Sequence, residues 1–177
     1  FCRLTGGIPD STSDLCTVEY DAGDAFVDYD RRILKLRRVT RDDRCPVEIV
    51  NDEDIQFGTR RPTPREGEVH AVVIGDDQYS MFLRDIPRED GELNLHVLRL
   101  PLEEVTGPES QLEIDRQHHL HLLDWMKALA YSKQDAETYD KGKAEEFQAA
   151  FAAYCDRVRT EQGRREHKPR TVAYGGL

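Results

Sequence analysis

The chain has 177 residues, of which 34% are charged and 38% hydrophobic, a balance typical of a foldable globular protein. Its 35 acidic and 25 basic side chains give a formal net charge of −10 at pH 7. This argues against a nucleic-acid-binding regulator, because phosphate contacts need lysine and arginine. No apolar stretch approaches the roughly 18 residues of a transmembrane helix, which argues against a membrane protein.

The N-terminal segment, residues 1–14, is rich in glycine, serine, threonine and aspartate, which predicts a loop that follows some upstream element. The first residue is Phe1 rather than methionine, which indicates a fragment or a processed chain. Four cysteines lie far apart with no Cys-x-x-Cys pair. We therefore expect free thiols, as in a reducing compartment, rather than a zinc site or a disulfide scaffold.

Residues 15–100 predict a β-rich module, because short alternating stretches are separated by turn signals every eight to twelve residues. In the stretch RILKLRRVTR we expect Leu34 and Leu36 to face one way, and Lys35 and Arg37 the other. Further on, the stretch VHAVVIGDDQYSMFLRD predicts a hairpin with an Asp-Asp turn. The module is expected to be an antiparallel sandwich or a barrel-like sheet.

The pattern changes after Pro101 to a linker over residues 101–114 and then to helical spacing over residues 115–162. A first helix is expected from about Asp115 to Ser132 and a second over about 136–161, and together they predict an αα-hairpin. The chain is thus expected to be an α+β protein. The residues expected in the core of the hairpin are Leu122, Trp125, Met126, Leu129, Phe147, Phe151 and Tyr154.

The last segment, residues 163–177, predicts an extended tail in which basic side chains outnumber acidic ones. Apolar and aromatic residues on an extended segment are typical of a peptide that docks onto a partner, for example by adding a strand to a sheet edge. A frayed terminus is the alternative interpretation. The residues expected to make the docking contact are Arg164, Arg165, Lys168, Arg170, Val172, Tyr174 and Leu177.

The histidines of the first helix are the strongest candidates for chemistry. His118 and His121 are flanked by Asp115 and Asp124 at the same spacing, so a metal-dependent hydrolase using both histidines is the enzymatic alternative. Each step of three residues turns the helix by about 60° backwards, however, so the four side chains cannot converge on one ion. His119 lies at the edge of the apolar arc, where we expect a hydrogen-bonded core histidine. The spacing of these residues therefore favours a structural role for this face of the helix over a metal site.

Other catalytic patterns are weaker. The sequence has no Gly-x-Ser-x-Gly motif and no phosphate-binding loop. Cys155 has Arg157 and Arg159 nearby, but without an adjacent histidine it is more typical of a buried, inert thiol. We therefore expect a protein that is not an enzyme, with no catalytic residue, no cofactor and no metal.

The order of these segments resembles the head-to-tail adaptors of tailed bacteriophages, also called connector or head-completion proteins. The most specific part is LLDWMKALAYSKQDAETYD, residues 122–140, and the stretch DSTSDLCTVEYDAGDAFVDYDRRILKLRRV resembles the family's strands. A member of that family would carry a further helix before Phe1. This further helix is implied by the resemblance and not by the composition of the chain.

The resemblance implies a structural protein of the virion that is assembled in the host cytoplasm. Such adaptors form a ring, typically of twelve copies, between the portal at the capsid vertex and a tail or nozzle protein. DNA leaves through the channel that they surround, without sequence-specific binding. The acidic composition agrees with this role, because basic channel walls would bind phosphates.

Overall fold

The computed structural model describes residues 1–42, 44–53, 65–75, 78–107, 109–134 and 137–166. The chain divides into two compact units. The β unit comprises Gly7–Glu103, and the helical unit comprises Phe1–Gly6 together with the described residues from Glu104 onward. The expectation of an α+β protein is confirmed.

The described residues of the β unit form ten strands. They are β1 (Ile8–Asp10), β2 (Thr17–Tyr20), β3 (Phe26–Asp28), β4 (Ile33–Arg41), β5 (Pro46–Asn51), β6 (Arg65–Gly67), β7 (Ala71–Ile74), β8 (Ser80–Leu83), β9 (Asp85–Pro87) and β10 (Gly91–Arg99). Eight of them form one curled sheet, a half-barrel, in the order β1-β10-β4-β5-β7-β8-β3, with β2 also paired to β10. The strands β6 and β9 form a separate pair.

The pairing is mostly antiparallel, and the expected hairpin is confirmed as β7 and β8. Its Asp76-Asp77 turn lies outside the described residues. Two pairs depart from the expected antiparallel pattern, because β5–β7 and β6–β9 are parallel. Parallel neighbours need a long crossover connection, which alternation within a strand does not reveal.

The core of the β unit lies on the inner side of the curled sheet. Its most completely buried side chains, each 0% exposed, are Val39, Val72, Met81, Leu83 and Leu93. Burial of one such side chain contributes about 2 kcal/mol.

Strand β4 departs from the simple alternation that the sequence predicts. Its pairing with β10 contains two register shifts, one that skips Leu34 and one that skips Arg37. Each shift is a β-bulge, which adds a residue to one strand and lets two consecutive side chains point outward. Leu34 is therefore 36% exposed beside Lys35, whereas Leu36 is buried, so the expectation that both leucines share one side is wrong.

The helical unit begins with a short helix α1, Cys2–Thr5, in the segment that the sequence predicts to be a loop. Cys2 and Thr5 are buried, and α1 packs against the long C-terminal helix. Gly6 ends the turn with φ = 99°, a left-handed conformation that glycine adopts without strain. Tertiary packing thus stabilises a turn that the local composition does not favour.

The two main helices are α2, His119–Tyr131, preceded by a 3₁₀ turn at Arg116–His118, and α3, Lys141–Glu166. Helix α3 starts later than the expected position 136 and continues beyond 162, so residues 163–166 are helical rather than part of an extended tail. Arg164 and Arg165 lie in its last turn, where positive charge interacts favourably with the helix dipole.

Part of the apolar arc of α2 does not pack against α3, which corrects the expected core at Met126 and Leu129. Met126 and Leu129 are 61% and 49% exposed, while Ala128 is 5% exposed at the contact with α3. The small side chain of Ala128 lets α3 approach closely. Trp125 is also partly exposed, although its ring lies 5.4 Å from that of Phe151, which is buried.

Candidate functional site

A cluster of aromatic rings and histidines joins the start of α2 to α3. Nδ1 of His118 and the hydroxyl of Tyr154 share a hydrogen bond of 2.7 Å. The ring of His121 stacks on that of Tyr154 at 3.5 Å between centroids, and the Arg157 guanidinium lies 5.0 Å from the Tyr154 ring centroid. Both candidate histidines therefore contact one tyrosine instead of converging on a common point.

The charge states in this cluster follow from burial. Burial lowers the pKa of His118, and the positive charge of His121 acts in the same direction, while Asp115 and Glu161 partly oppose them. Burial likewise raises the pKa of Tyr154, although Arg157 opposes that shift. Burial therefore favours the neutral forms of His118 and Tyr154.

The carboxylates expected beside the histidines do not complete a metal site. Nδ1 of His121 lies 3.6 Å from Oδ2 of Asp124, three residues further along the same helix. Across the described ranges, no group of three or more histidine, cysteine, aspartate or glutamate side chains is placed to hold a metal ion. His119 is half-buried and donates a hydrogen bond of 2.7 Å from Nε2 to the carbonyl oxygen of Ile114, which stabilises the entry to α2. Nothing in this geometry supports the hydrolase alternative.

A cleft of about 430 Å³ lies beside the cluster. The cleft is lined by two acidic side chains, Asp115 and Glu161, and by two basic ones, Arg157 and Arg165. Such a lining balances its own charges and does not define one ligand chemistry.

The cysteines are the other candidates for a reactive side chain. Cys2, Cys16 and Cys155 are buried, and Cys45 is exposed. Burial raises the pKa of the Cys155 thiol, which opposes formation of the nucleophilic thiolate. The prediction of a buried thiol at Cys155 is confirmed.

The outer side of α2 is the most prominent surface feature of the helical unit. We call it the α2 apolar face and define it as Leu122, Leu123, Met126, Leu129 and Ala130. At 100° per residue these side chains span about 120° of the helix circumference. Leu123, Met126 and Leu129 are each at least 45% exposed, and Leu122 is half-buried. A contiguous exposed apolar face of this kind is typical of surfaces that contact another protein.

Three side chains of this face, Leu122, Met126 and Leu129, were expected from the sequence to lie in the hairpin core. An apolar arc indicates that a helix face is buried somewhere, not which partner buries it. The expected docking tail is only partly placed: Arg164 and Arg165 are exposed on α3. The remaining residues of that set, Lys168, Arg170, Val172, Tyr174 and Leu177, lie outside the described residues.

The SU10 adaptor protein family matches residues 2–173 of the chain. The chain belongs to that family. It is a phage structural adaptor, a component of the virion that interacts with other virion proteins. No curated protein matches the chain significantly.

Family membership gives the α2 apolar face its context. A structural adaptor needs surfaces that bind other proteins, and the exposed α2 apolar face is a candidate for such a surface. Within the described ranges, no helix combines the length and the apolar character that crossing a bilayer requires.

Proposed function

We propose that this adaptor forms a ring, of about twelve copies as the resemblance implies, that joins the portal at the capsid vertex to a tail or nozzle protein. DNA leaves through the channel that the ring surrounds, without sequence-specific binding. Family membership supports the proposal, and the observation on which it depends most is the α2 apolar face. The adaptor works by binding and not by catalysis.

The energetics of the α2 apolar face favour assembly. Burial of one leucine or methionine side chain contributes about 2 kcal/mol, and three of these side chains are at least 45% exposed. The face has no counterpart of the same composition on α3, whose exposed side is dominated by alanine and charged residues. Contact between unlike surfaces of neighbouring copies is heterologous and closes into a ring when the rotation between them divides a full turn.

The charge of the chain suits a channel for DNA. With a net charge of −10, the protein repels the phosphate backbone over most of its surface. DNA would then move past the ring without the counterion release that makes binding to basic proteins strong.

A complementation experiment tests this function against the enzymatic alternative. Phage that lack the gene are expected to produce filled heads without tails, and a plasmid copy of the gene is expected to restore tailed virions. A Leu123→Ser/Met126→Ser variant is expected to fail, because it makes the α2 apolar face polar. The matched variant His121→Phe keeps a ring that can stack on Tyr154 and is expected to complement.

The opposite pattern would contradict the proposal. If His121→Phe fails to complement while the folded Leu123→Ser/Met126→Ser variant succeeds, the histidine has a chemical role and the α2 apolar face has none. Tailed, infectious virions from phage that lack the gene would also contradict it.

A further inference from the structure

The curled sheet of the β unit does not close, and the short strand β3 lies at one end of it. In the order of strands, β3 follows β8 and is followed by no other described strand. Strand β2, near the other end, pairs with β10 alone among the described strands. A sheet edge of this kind presents main-chain N–H and C=O groups with which a further strand can pair.

The main-chain groups of Phe26 and Asp28 face away from β8. The carbonyl oxygen of Ala25 accepts a hydrogen bond from the last residue of β8, and the amide of Tyr29 donates one to the residue just before β8. In an antiparallel pair such bonds fall on alternate residues of a strand. Phe26 and Asp28 occupy the positions in between, so their N–H and C=O groups point to the open side, where no described strand pairs with them.

A groove of about 560 Å³ separates β2 from the end of β3. It is lined by Thr17, Val18 and Glu19 of β2 and by Asp28 of β3. Val18 is at the same time part of the buried core of the β unit. The groove therefore gives an extended segment access to the open edge of β3 and to the apolar interior beside it.

The two strands beside the groove alternate in the same way. In β2 Val18 is buried and Glu19 is exposed, and in β3 Val27 is buried and Asp28 is exposed. Because successive side chains of a strand point to opposite faces, a segment added beside β3 places every second side chain next to the buried valines. The side chains in between lie next to the carboxylates. The edge thus fits a segment with apolar side chains on one face and basic ones on the other.

The charges beside the open edge also favour a basic segment. Neither Glu19 nor Asp28 has an ion-pair partner among the residues that the structure describes. Asp30, which also lines the groove, differs because it pairs with Arg32 at 2.6 Å. Phe26 is 56% exposed on the same face as Asp28, and a cation is favourable over an aromatic ring.

We propose that an extended segment of another virion protein, in which basic and apolar residues alternate, adds a strand to the open edge of β3. This inference rests on the proposed function, because it names how the adaptor holds one of its partners. Main-chain hydrogen bonds to Phe26 and Asp28 supply affinity, and the alternating side chains supply specificity. The exposed carboxylate of Asp28 also disfavours pairing between two copies of β3, because like charges repel.

The C-terminal tail of the chain does not have the alternation that this edge requires. Its basic residues Lys168 and Arg170 are separated from its apolar residues Val172 and Tyr174 by even numbers of positions. On a strand, all four side chains would lie on one face. The pattern therefore favours a segment of a different protein.

A peptide-binding experiment with the full chain tests the proposal. The probe is a synthetic peptide of four Lys-Val repeats, and its affinity is measured by isothermal titration calorimetry at about 0.1 M salt. A peptide of the same composition in the order Lys-Lys-Val-Val loses the alternation, and we expect it to bind at least about tenfold more weakly. A peptide of Glu-Val repeats keeps the alternation with the opposite charge, and we expect it not to bind.

A pair of matched variants tests the position of the site. Asp28→Lys reverses the charge beside the open edge, and we expect it to weaken binding of the Lys-Val peptide at least about tenfold. Glu48→Lys makes the same change at an exposed residue of β5 that does not line the groove, and we expect it to bind like the wild type. Circular dichroism checks that both variants are folded.

Hydrogen exchange of the wild-type chain tests strand addition without any variant. The amides of Phe26 and Asp28 donate to the added strand in the complex. We therefore expect the Lys-Val peptide to slow their exchange at least about tenfold.

Three results would overturn the proposal: equal affinity for the Lys-Val and Lys-Lys-Val-Val peptides, unchanged exchange at Phe26 and Asp28, or equal weakening by Asp28→Lys and Glu48→Lys. Tighter binding of a peptide of residues 164–177 would assign the edge to the tail of another copy instead. Ring assembly on the portal, imaged in parallel, separates the two proposals. If the ring forms but the peptide does not bind, strand addition is wrong while the proposed function stands.

Discussion

Tyr154 on α3 and His118 in the turn before α2 share a hydrogen bond of 2.7 Å between the phenol oxygen and Nδ1. This bond fixes the start of α2 against α3 without placing any reactive group at the surface. Because burial is the main reason that the pKa of His118 is lowered, the folded protein holds this imidazole neutral at a pH where the unfolded chain is protonated.

The lowered pKa of His118 gives the helical unit a pH dependence with a defined sign. The neutral His118 contributes its full stabilisation above the ordinary histidine pKa of about 6.5. This contribution is lost as the pH falls toward the lower pKa of His118 in the folded protein, because the unfolded state then binds more protons. We expect the thermal midpoint of the wild type to fall between about pH 8 and about pH 5, and that of His118→Asn to fall less. An equal fall in both proteins would contradict this assignment.

The Tyr154→Phe variant removes the hydroxyl, and with it the hydrogen bond to His118 and a longer one of 3.5 Å to the Gln117 carbonyl oxygen, while the phenylalanine ring can still stack on His121. We expect a loss of about 1 kcal/mol in the free energy of unfolding at about pH 8. Urea denaturation followed by circular dichroism measures it. A variant as stable as the wild type would show that the bond is exchanged for water without cost.

The ion pair of Asp10 and Arg99 joins β1 to β10, and both side chains are less than 10% exposed. Burial by itself would raise the pKa of Asp10, but hydrogen bonds from Ser13, Thr12 and Arg99 outweigh it and hold the pKa well below the ordinary value. We expect Asp10→Asn to lower the free energy of unfolding by about 3 kcal/mol at neutral pH, because the buried Arg99 loses its ion pair with the Asp10 carboxylate.

The loss of stability in Asp10→Asn should also depend on pH. Here hydrogen bonds lower the pKa of the carboxyl group, whereas burial lowers the pKa of His118. A carboxylate with a lowered pKa stabilises the fold above its unfolded pKa of about 3.9, and this contribution is lost as the pH falls through the folded value. The difference between Asp10→Asn and the wild type should therefore persist at about pH 5 and shrink in stronger acid. The exposed Asp21→Asn is the control, and an equal effect there would contradict the role of the pair.

Gly91 lies opposite Tyr20 in the pairing of β10 with β2. A Cβ at this position would lie 2.5 Å from the Tyr20 hydroxyl oxygen and 2.7 Å from its Cζ, and Tyr20 is buried. We expect Gly91→Ala to cost about 2 kcal/mol, because the tyrosine ring must move out of a packed core. In Gly67→Ala the added Cβ meets no atom within 4 Å, so equal losses in the two variants would contradict this explanation.

We propose that the tail, residues 163–177, docks onto the portal. A truncation of residues 167–177 keeps every described residue of the helices, so we expect at least about tenfold weaker portal binding with unchanged helical circular dichroism. Replacement of the segment by a Gly/Ser stretch of equal length controls for chain length. Portal affinity that does not change on truncation would remove the tail from the interface.

The positions of the helices and strands could be predicted from the sequence better than the contacts between them. The hairpin of β7 and β8 followed from alternation and a turn, both of which are local signals. The bulges in β4 could not be predicted in this way, because the skipped positions at Leu34 and Arg37 depend on how β10 pairs with the strand. Local alternation predicts which side chains of a strand point inward. The pairing with the neighbouring strand determines whether that pattern holds along the whole strand.

The helical unit shows the same limit. Periodicity identified the apolar side chains of α2, but Ala128, a weak signal in the sequence, marks the face that packs against α3. The larger side chains of Met126 and Leu129 remain exposed. The sequence of a single chain predicts that a face is buried and does not say whether the same molecule buries it.

Cryo-electron microscopy of the adaptor bound to the portal of its own virus tests the central claim most directly. The account predicts a closed ring of copies on the portal, with Leu123 and Met126 of every copy buried against a neighbouring protein. A single copy bound to the portal, or a ring in which both side chains still face solvent, would contradict it.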